Sequence, residues 1–203
     1  MPRPPRVRAA GAYYHVFNRG VERRPIVEDD WDRKMFLRVL GRAIHQYGTR
    51  LFAYCLLDNH YHLFLQTPEA NLDLVMRDFQ GQYVQYFNLI HDRVGPLFQG
   101  RYQSPLVQVD AYALQVTRYI HRNPVEAGLV TAAALQEYRW SSYPSYAGHL
   151  PRWPWLDTNW ILGQFHKDAP QALRLFVAFH QVPGGPGPPG TVAHMPSVAS
   201  CVP

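Results

Sequence analysis

Cys55-Leu56-Leu57-Asp58-Asn59-His60-Tyr61-His62-Leu63-Phe64-Leu65 is an apolar stretch broken by one polar pair and two histidines. Arg50 to Leu57 and His60 to Gln66 read as strands, with Asp58-Asn59 as the short turn of a hairpin between them. Side chains two apart on a strand share a face, about 6–7 Å apart along the chain. His60 and His62 therefore stand side by side at the start of the second strand. Tyr61, Leu63 and Leu65 face the other way and anchor that strand in a core.

Working outward, Tyr13 to Asn18 is aromatic and β-branched and stops at Arg19-Gly20, which predicts a first strand. Asp29-Asp30 then precede Trp31 to Tyr47, where Met35, Phe36, Val39, Leu40, Ala43 and Ile44 fall at helical spacing and Gly48 is the stop signal. Downstream of the hairpin, Asn71 caps a second helix running to about Ile90. Gly95 to Tyr102 is loop-like, and Pro105 to Val109 is expected to form a short fourth strand. Asp110 caps a third helix from Ala111 to about Arg122, which Asn123-Pro124 should close because a residue preceding proline disfavours the helical region. The order strand, helix, strand, strand, helix, strand predicts an α+β fold with a ferredoxin-like split βαβ core. In it an antiparallel sheet carries helices on one face, and the third helix is appended.

Trp140 to Trp155 reads as irregular packing, and Thr158 to Phe165 and Pro170 to Gln181 as two short helices. Val182 to Pro203 is dense in Pro and Gly and has no Lys, Arg, Asp or Glu, which predicts disorder. The expected organisation is a basic flexible arm over 1–11, a main domain over 12–147, a helical extension over 148–181 and a tail over 182–203.

Composition narrows the classes of function. No apolar run approaches the roughly 20 residues of a membrane-spanning helix, and the Arg/Pro-rich start lacks the apolar core of a secretory signal. A cytoplasmic protein without a membrane partner is expected. Cys55 and Cys201 make no disulfide framework. The net charge of +5 favours a polyanionic partner, and Arg3, Arg6, Arg8, Arg19, Arg23 and Arg24 meet one acid, Glu22, in the first 24 residues.

Two imidazoles on one strand face can bind a divalent ion, and two ligands leave open positions that substrate oxygens and water would fill. Tyr119 and Asn123 lie four apart on a helix end, so they share a face and can enter one site. A tyrosine hydroxyl can act as a nucleophile, weakly so at neutral pH unless a metal assists. The bland alternative keeps the histidines hydrogen-bonded at a sheet surface and Tyr119 in the core. Arg101 and Tyr102 suit phosphate pairing and base stacking, with a loop packed by its own aromatic as the alternative for Tyr102, and His15 stands either near the site or, the favoured reading, only paired within the sheet.

Beyond this, His15-Val16-Phe17-Asn18-Arg19-Gly20, Ala53-Tyr54-Cys55-Leu56, Asn59-His60-Tyr61-His62-Leu63, Leu97 to Tyr102, Arg118-Tyr119-Ile120, Asn123 to Val130 and Trp140-Ser141-Ser142-Tyr143 form an ordered set. It resembles the HUH-type tyrosine transposases of the single-strand insertion-sequence class, most closely their REP-associated relatives. The resemblance runs from about Tyr14 to Tyr146. It implies a ferredoxin-like core in which His60 and His62 bind Mg²⁺ or Mn²⁺, with Asn123 at the position of a further polar ligand. Tyr119 would attack DNA and leave a 5′-phosphotyrosine. The implied partner is single-stranded DNA at hairpin ends of REP-like palindromes, bound by a monomer or homodimer. Arg3, Arg6, Arg8, Arg19, Arg101 and Tyr102 would be the DNA contacts. Tyr61 between the histidines and Asp58 before Asn59 depart from the usual pattern without removing a ligand. A replication initiator or relaxase of the same chemistry, and a non-catalytic ferredoxin-like binder of single strands, are the alternatives.

Overall fold

The computed structural model describes residues 9–108 and 111–182. Three strands, β1 (Ala12–Arg19), β2 (Arg50–Leu56) and β3 (His60–Thr67), form an antiparallel sheet in the order β1-β3-β2. The hairpin reading holds: Leu57 N–H donates to His60 O at 2.9 Å across Asp58-Asn59. β3 lies in the centre because it is apolar on one face and carries the histidines on the other. Its register sets Phe17 opposite His62 and Arg19 opposite His60.

Helix α1 (Asp30–Gln46) is capped by Asp29, whose carboxylate accepts from Asp32 N–H at 2.8 Å. Helix α2 (Leu72–Ile90) follows, and both helices cover the face that receives Tyr61: Phe36 and Phe79 pack on its ring at 5.3 and 5.8 Å. Asn71 occupies the cap position of α2, yet its amide donates to Tyr47 O instead. Helix α3 (Ala111–Glu126) lies across the opposite face, which carries the histidines.

Three expectations are corrected. Among the described residues the fourth strand does not form. Residues 98–107 instead track the outer edge of β1 through separate bridges, Gly20 to Phe98, Phe17 to Gln103 and Tyr14 to Leu106. Pro105, which has no N–H, sits in that run and accepts from His15 N–H through its carbonyl. Residues 140–142 likewise cover the free edge of β2, with Leu56 N–H donating to Trp140 O at 3.0 Å, so this stretch is more ordered than expected. It continues into the single turn α4 (Tyr143–Tyr146).

The third correction concerns α3, which runs through Pro124 to Glu126. Proline removes the N–H that would pair with Ile120 O, and the Asn123 side-chain amide takes its place at 3.4 Å while also donating to Tyr119 O at 2.7 Å. The cap expected at Asp110 lies outside the described residues, as do Arg3, Arg6 and Arg8, Cys201 and nearly all of the tail.

The short helix α5 (Asn159–Gly163) and helix α6 (Ala169–Gln181) share the main core through Ile161 and Phe176, and Trp160 stacks on Tyr13 at 5.2 Å. A buried chain of neutral groups ties α6 to α3 and to β2. His180 Nδ1–H donates to Phe176 O (2.8 Å), His121 Nδ1 meets His180 Nε2 (3.0 Å), and His121 Nε2 meets Ser142 Oγ (2.6 Å). Ser142 Oγ in turn accepts from Tyr54 N–H at 2.9 Å. Every ring nitrogen has a partner when both imidazoles are neutral. Among the described residues, no helix is long and apolar enough to cross a membrane.

Burial drops the His180 pKa from 6.5 to about 3. The unfolded chain therefore takes up a proton below pH 6.5 that the folded chain refuses, and stability falls with pH by about 1.4 kcal/mol per unit for each such histidine. Urea unfolding at pH 7.5 and 5.5 should show this loss, and His180→Gln should flatten the slope by one histidine's share. Gly41 gives a second expectation: a Cβ there would sit 2.1 Å from Trp155 Nε1. Gly41→Ala should destabilise by about 1–3 kcal/mol despite alanine's better helix propensity, as measured by urea unfolding at pH 7.5.

Candidate active site

The site lies where β1 ends and β3 begins. Strand alternation projects His15, Phe17 and Arg19 of β1 and His60 and His62 of β3 toward α3. The His60 and His62 rings are 5.2 Å apart and nearly perpendicular. Tyr119 of α3 lies edge-on to His62 at 5.5 Å and to His15 at 5.7 Å.

The hydrogen bonds divide each imidazole into a held side and a presented side. His62 Nδ1 pairs with His15 Nε2 at 2.9 Å, and its Nε2 is buried with no protein partner. His60 Nδ1 lies 2.7 Å from Asn59 Oδ1, and the Asn123 side chain also hydrogen-bonds the His60 ring. Since Asn123 Nδ2 is committed to the Tyr119 and Ile120 carbonyls, its Oδ1 is the atom left for His60. Two amide oxygens thus face an imidazole that carries one N–H when neutral.

Electrostatics keep these rings neutral. Burial lowers His15 to about 3; burial and then the Arg19 guanidinium lower His60 to about 4. His62 falls well below 6.5, through burial and then the neighbouring His15 and His60. Tyr119 is raised by burial and by Glu126 and Cys55, with Arg19 opposing.

A divalent cation fits this arrangement. The unpartnered His62 Nε2, the second His60 nitrogen and Asn123 Oδ1 supply two nitrogens and one oxygen, and a cation would resolve the surplus acceptor at His60. Among the described residues, no group of three or more His, Cys, Asp or Glu could hold a metal.

The loop after β1 is latched to the same end. Gly20 N–H donates to Asn59 O at 2.8 Å, and Asn59 Nδ2–H donates to Arg23 O at 3.1 Å. A Cβ at Gly20 would lie 2.1 Å from Arg24 O, so only glycine fits. Glu22 and Arg23 both take positive φ, 53° and 62°, a conformation that costs about 1–3 kcal/mol per residue.

Residues 9–123 match the family described as IS200-like transposases. The chain belongs to the IS200-like transposase family. Among solved structures, this transposase is similar to a REP-associated tyrosine transposase bound to a REP hairpin, with 17% identity, 78% of this chain and 94% of that chain covered, and a TM-score of 0.62. A candidate transposase from Deinococcus radiodurans R1 shares 18% identity over 60% of this chain and 97% of its own, with a TM-score of 0.42. Comparison with curated protein sequences gives no match.

The fold of the transposase gathers His60, His62, Tyr119, Asn123 and Arg19 at one end of the sheet. Arg101 is exposed on a loop pinned beside them, since Asn18 Nδ2–H donates to Gly100 O at 3.0 Å. Tyr102 is only 6% exposed and belongs to the core, which favours the packed-loop reading over base stacking. Tyr61 points away from the histidines and accepts from Gln80 Nε2–H at 2.8 Å.

The sequence does not single out Asn59 as a site residue, and for His15 it favours pairing within the sheet alone. Strand alternation alone sends His15 to the same face as Phe17 and Arg19, but the register of β1 on β3, which brings its ring to His62, is not written in either strand. Partners that hold a ligand's second nitrogen typically contribute 10–100-fold to metal affinity. His15→Ala should weaken Mn²⁺ binding in isothermal titration calorimetry by about that factor. Unchanged affinity would show that His15 merely fills the sheet.

Proposed function

We propose that this transposase is a metal-dependent single-strand DNA endonuclease and strand transferase acting at hairpin ends through Tyr119. The observation that carries this reading is the seating of Tyr119 edge-on against the buried His62, whose Nδ1 is held by His15 and whose Nε2 has no protein partner, with His60 5.2 Å away on the same face. The similar REP-associated tyrosine transposase is bound to a REP hairpin, which supports a structured DNA end as substrate.

In this reading His60, His62 and Asn123 hold Mg²⁺ or Mn²⁺. When bound, the cation withdraws charge from the scissile phosphate and steadies the leaving 3′-oxygen. Tyr119 Oη forms a bond to phosphorus, the bond from phosphorus to the 3′-oxygen breaks, and the phenol's proton is made up on the released 3′-hydroxyl. The product is a 5′-phosphotyrosine. A free 3′-hydroxyl attacking that phosphorus reverses the exchange, returning the proton to tyrosine and joining a new strand. Arg19, directly across the β1–β3 pair from His60, faces the phosphate, and Arg101 on the adjoining loop extends the contact. Arg3, Arg6 and Arg8 add salt-sensitive backbone contacts. Residues 12–147 form the catalytic unit, and 148–181 brace it.

Incubating a labelled hairpin oligonucleotide with protein and Mn²⁺ should yield a covalent protein–DNA adduct on a denaturing gel. Tyr119→Phe should abolish it, and EDTA should suppress it until Mn²⁺ is restored. His60→Ala should abolish the adduct while leaving hairpin affinity within a few-fold, because arginines dominate binding. Hairpin binding with no adduct under any metal would sink the reading in favour of a non-catalytic binder.

A further inference from the structure

On the other side of the sheet, α1 turns a line of three cations and a histidine outward. Lys34, Arg38, Arg42 and His45 are all exposed, at spacings of four, four and three residues. At 1.5 Å per residue they stand about 4.5–6 Å apart along a track of about 16 Å. Lys34 lies over the Trp31 ring at 5.0 Å, and Arg38 and Arg42 pair with no described carboxylate. A salt-bridged solvated helix face would interleave acids, and this line has none.

The track runs into a cleft of about 520 Å³, which His45 lines together with Thr49, Arg50, Arg152 and Trp155. Its one lining carboxylate, Asp157, is already paired with Arg50 at 2.7 Å. Thr49 is buried and its hydroxyl has no protein partner. Trp155 is seated against α1 at Gly41, the one place on the helix where its indole can approach so closely. Trp153 stacks on Trp155 at 5.5 Å and 16° and is itself 38% exposed. The Tyr54 hydroxyl hydrogen-bonds Trp153 as well, so the exposed indole is fixed in place.

We infer that this surface is a second DNA site, which holds an unpaired strand outside the cleaved segment. The α1 cations track its phosphates, and Trp153 and the cleft beside Arg152 receive its bases. A cationic track joined to a rigid aromatic platform is the arrangement that binds single strands without reading their sequence. It rests on the transposase reading only for where the strand comes from.

Oligo-dT tests it apart from catalysis. In fluorescence anisotropy, Arg38→Glu with Arg42→Glu should lower the salt slope of dT binding by about 1.4, as expected for two lost phosphate contacts. Trp153→Ala should weaken dT binding at least about five-fold, and dT should quench wild-type tryptophan fluorescence more than that of Trp153→Phe. Unchanged slope and affinity would overturn the site, and so would loss confined to a blunt duplex. Adduct formation on the hairpin oligonucleotide is scored separately: an adduct with unaltered dT binding removes the second site alone, whereas altered dT binding without an adduct keeps the site and removes the catalytic reading.

Discussion

The antiparallel pairing of β1 with β3 is the constraint on which the rest depends. It places Arg19 opposite His60 and brings the His15 ring to His62, so one register supplies the cation, the presented imidazole and the group that holds it. A slip by one residue would turn His15 and Arg19 to the α1/α2 face and Tyr14 and Val16 to the other. The core on the α1/α2 side, where Tyr14 and Val16 are fully buried, prevents that slip. Packing on one face of the sheet thus fixes chemistry on the other.

A second dependence runs through Pro124. Proline in the last turn of α3 leaves the Ile120 carbonyl without its backbone donor, and Asn123 answers with its side-chain N–H groups. That commitment orients the amide and leaves its oxygen for His60. The helix position that looked like a stop signal is better understood as the device that orients the Asn123 amide. The His180–His121–Ser142 chain then fixes the same helix against α6 and β2, so that Tyr119 and Asn123 are carried on an element held on several sides.

Much of this was legible in the sequence. Helical periodicity with Asp29 and Gly48 as boundaries located α1 to within a residue or two, and the Asp58-Asn59 break located both strands of the hairpin. The face shared by His60 and His62, and by Tyr119 and Asn123, follows from the two periods alone. What could not be read depends on partners distant in the chain. The run 98–107 has strand-like composition but takes its hydrogen bonds irregularly along β1. The burial of Tyr102 is set by the tertiary core it joins, and the placement of His15 by a register that no local signal encodes. The α1 cations were passed over because each one alone looks like an ordinary solvated residue. Only the placement of Arg152 and Trp153 at the end of the line gives them a common purpose.

That placement bears on how one small α+β unit can handle a long polyanion. The site between β1, β3 and α3 is walled by neutral rings, with Arg19 among them and Arg101 on the adjoining loop, a setting that strengthens local electrostatic effects but offers little area for grip. The α1 face has the opposite character: spaced cations in water, each contributing modestly and all screened by salt. Affinity and chemistry place conflicting demands on the same residues, because cations crowded around the histidines would depress their basicity further, as Arg19 already does for His60. Putting the grip on the far face of the sheet separates the two demands, and the sheet's rigidity keeps the distance between them constant.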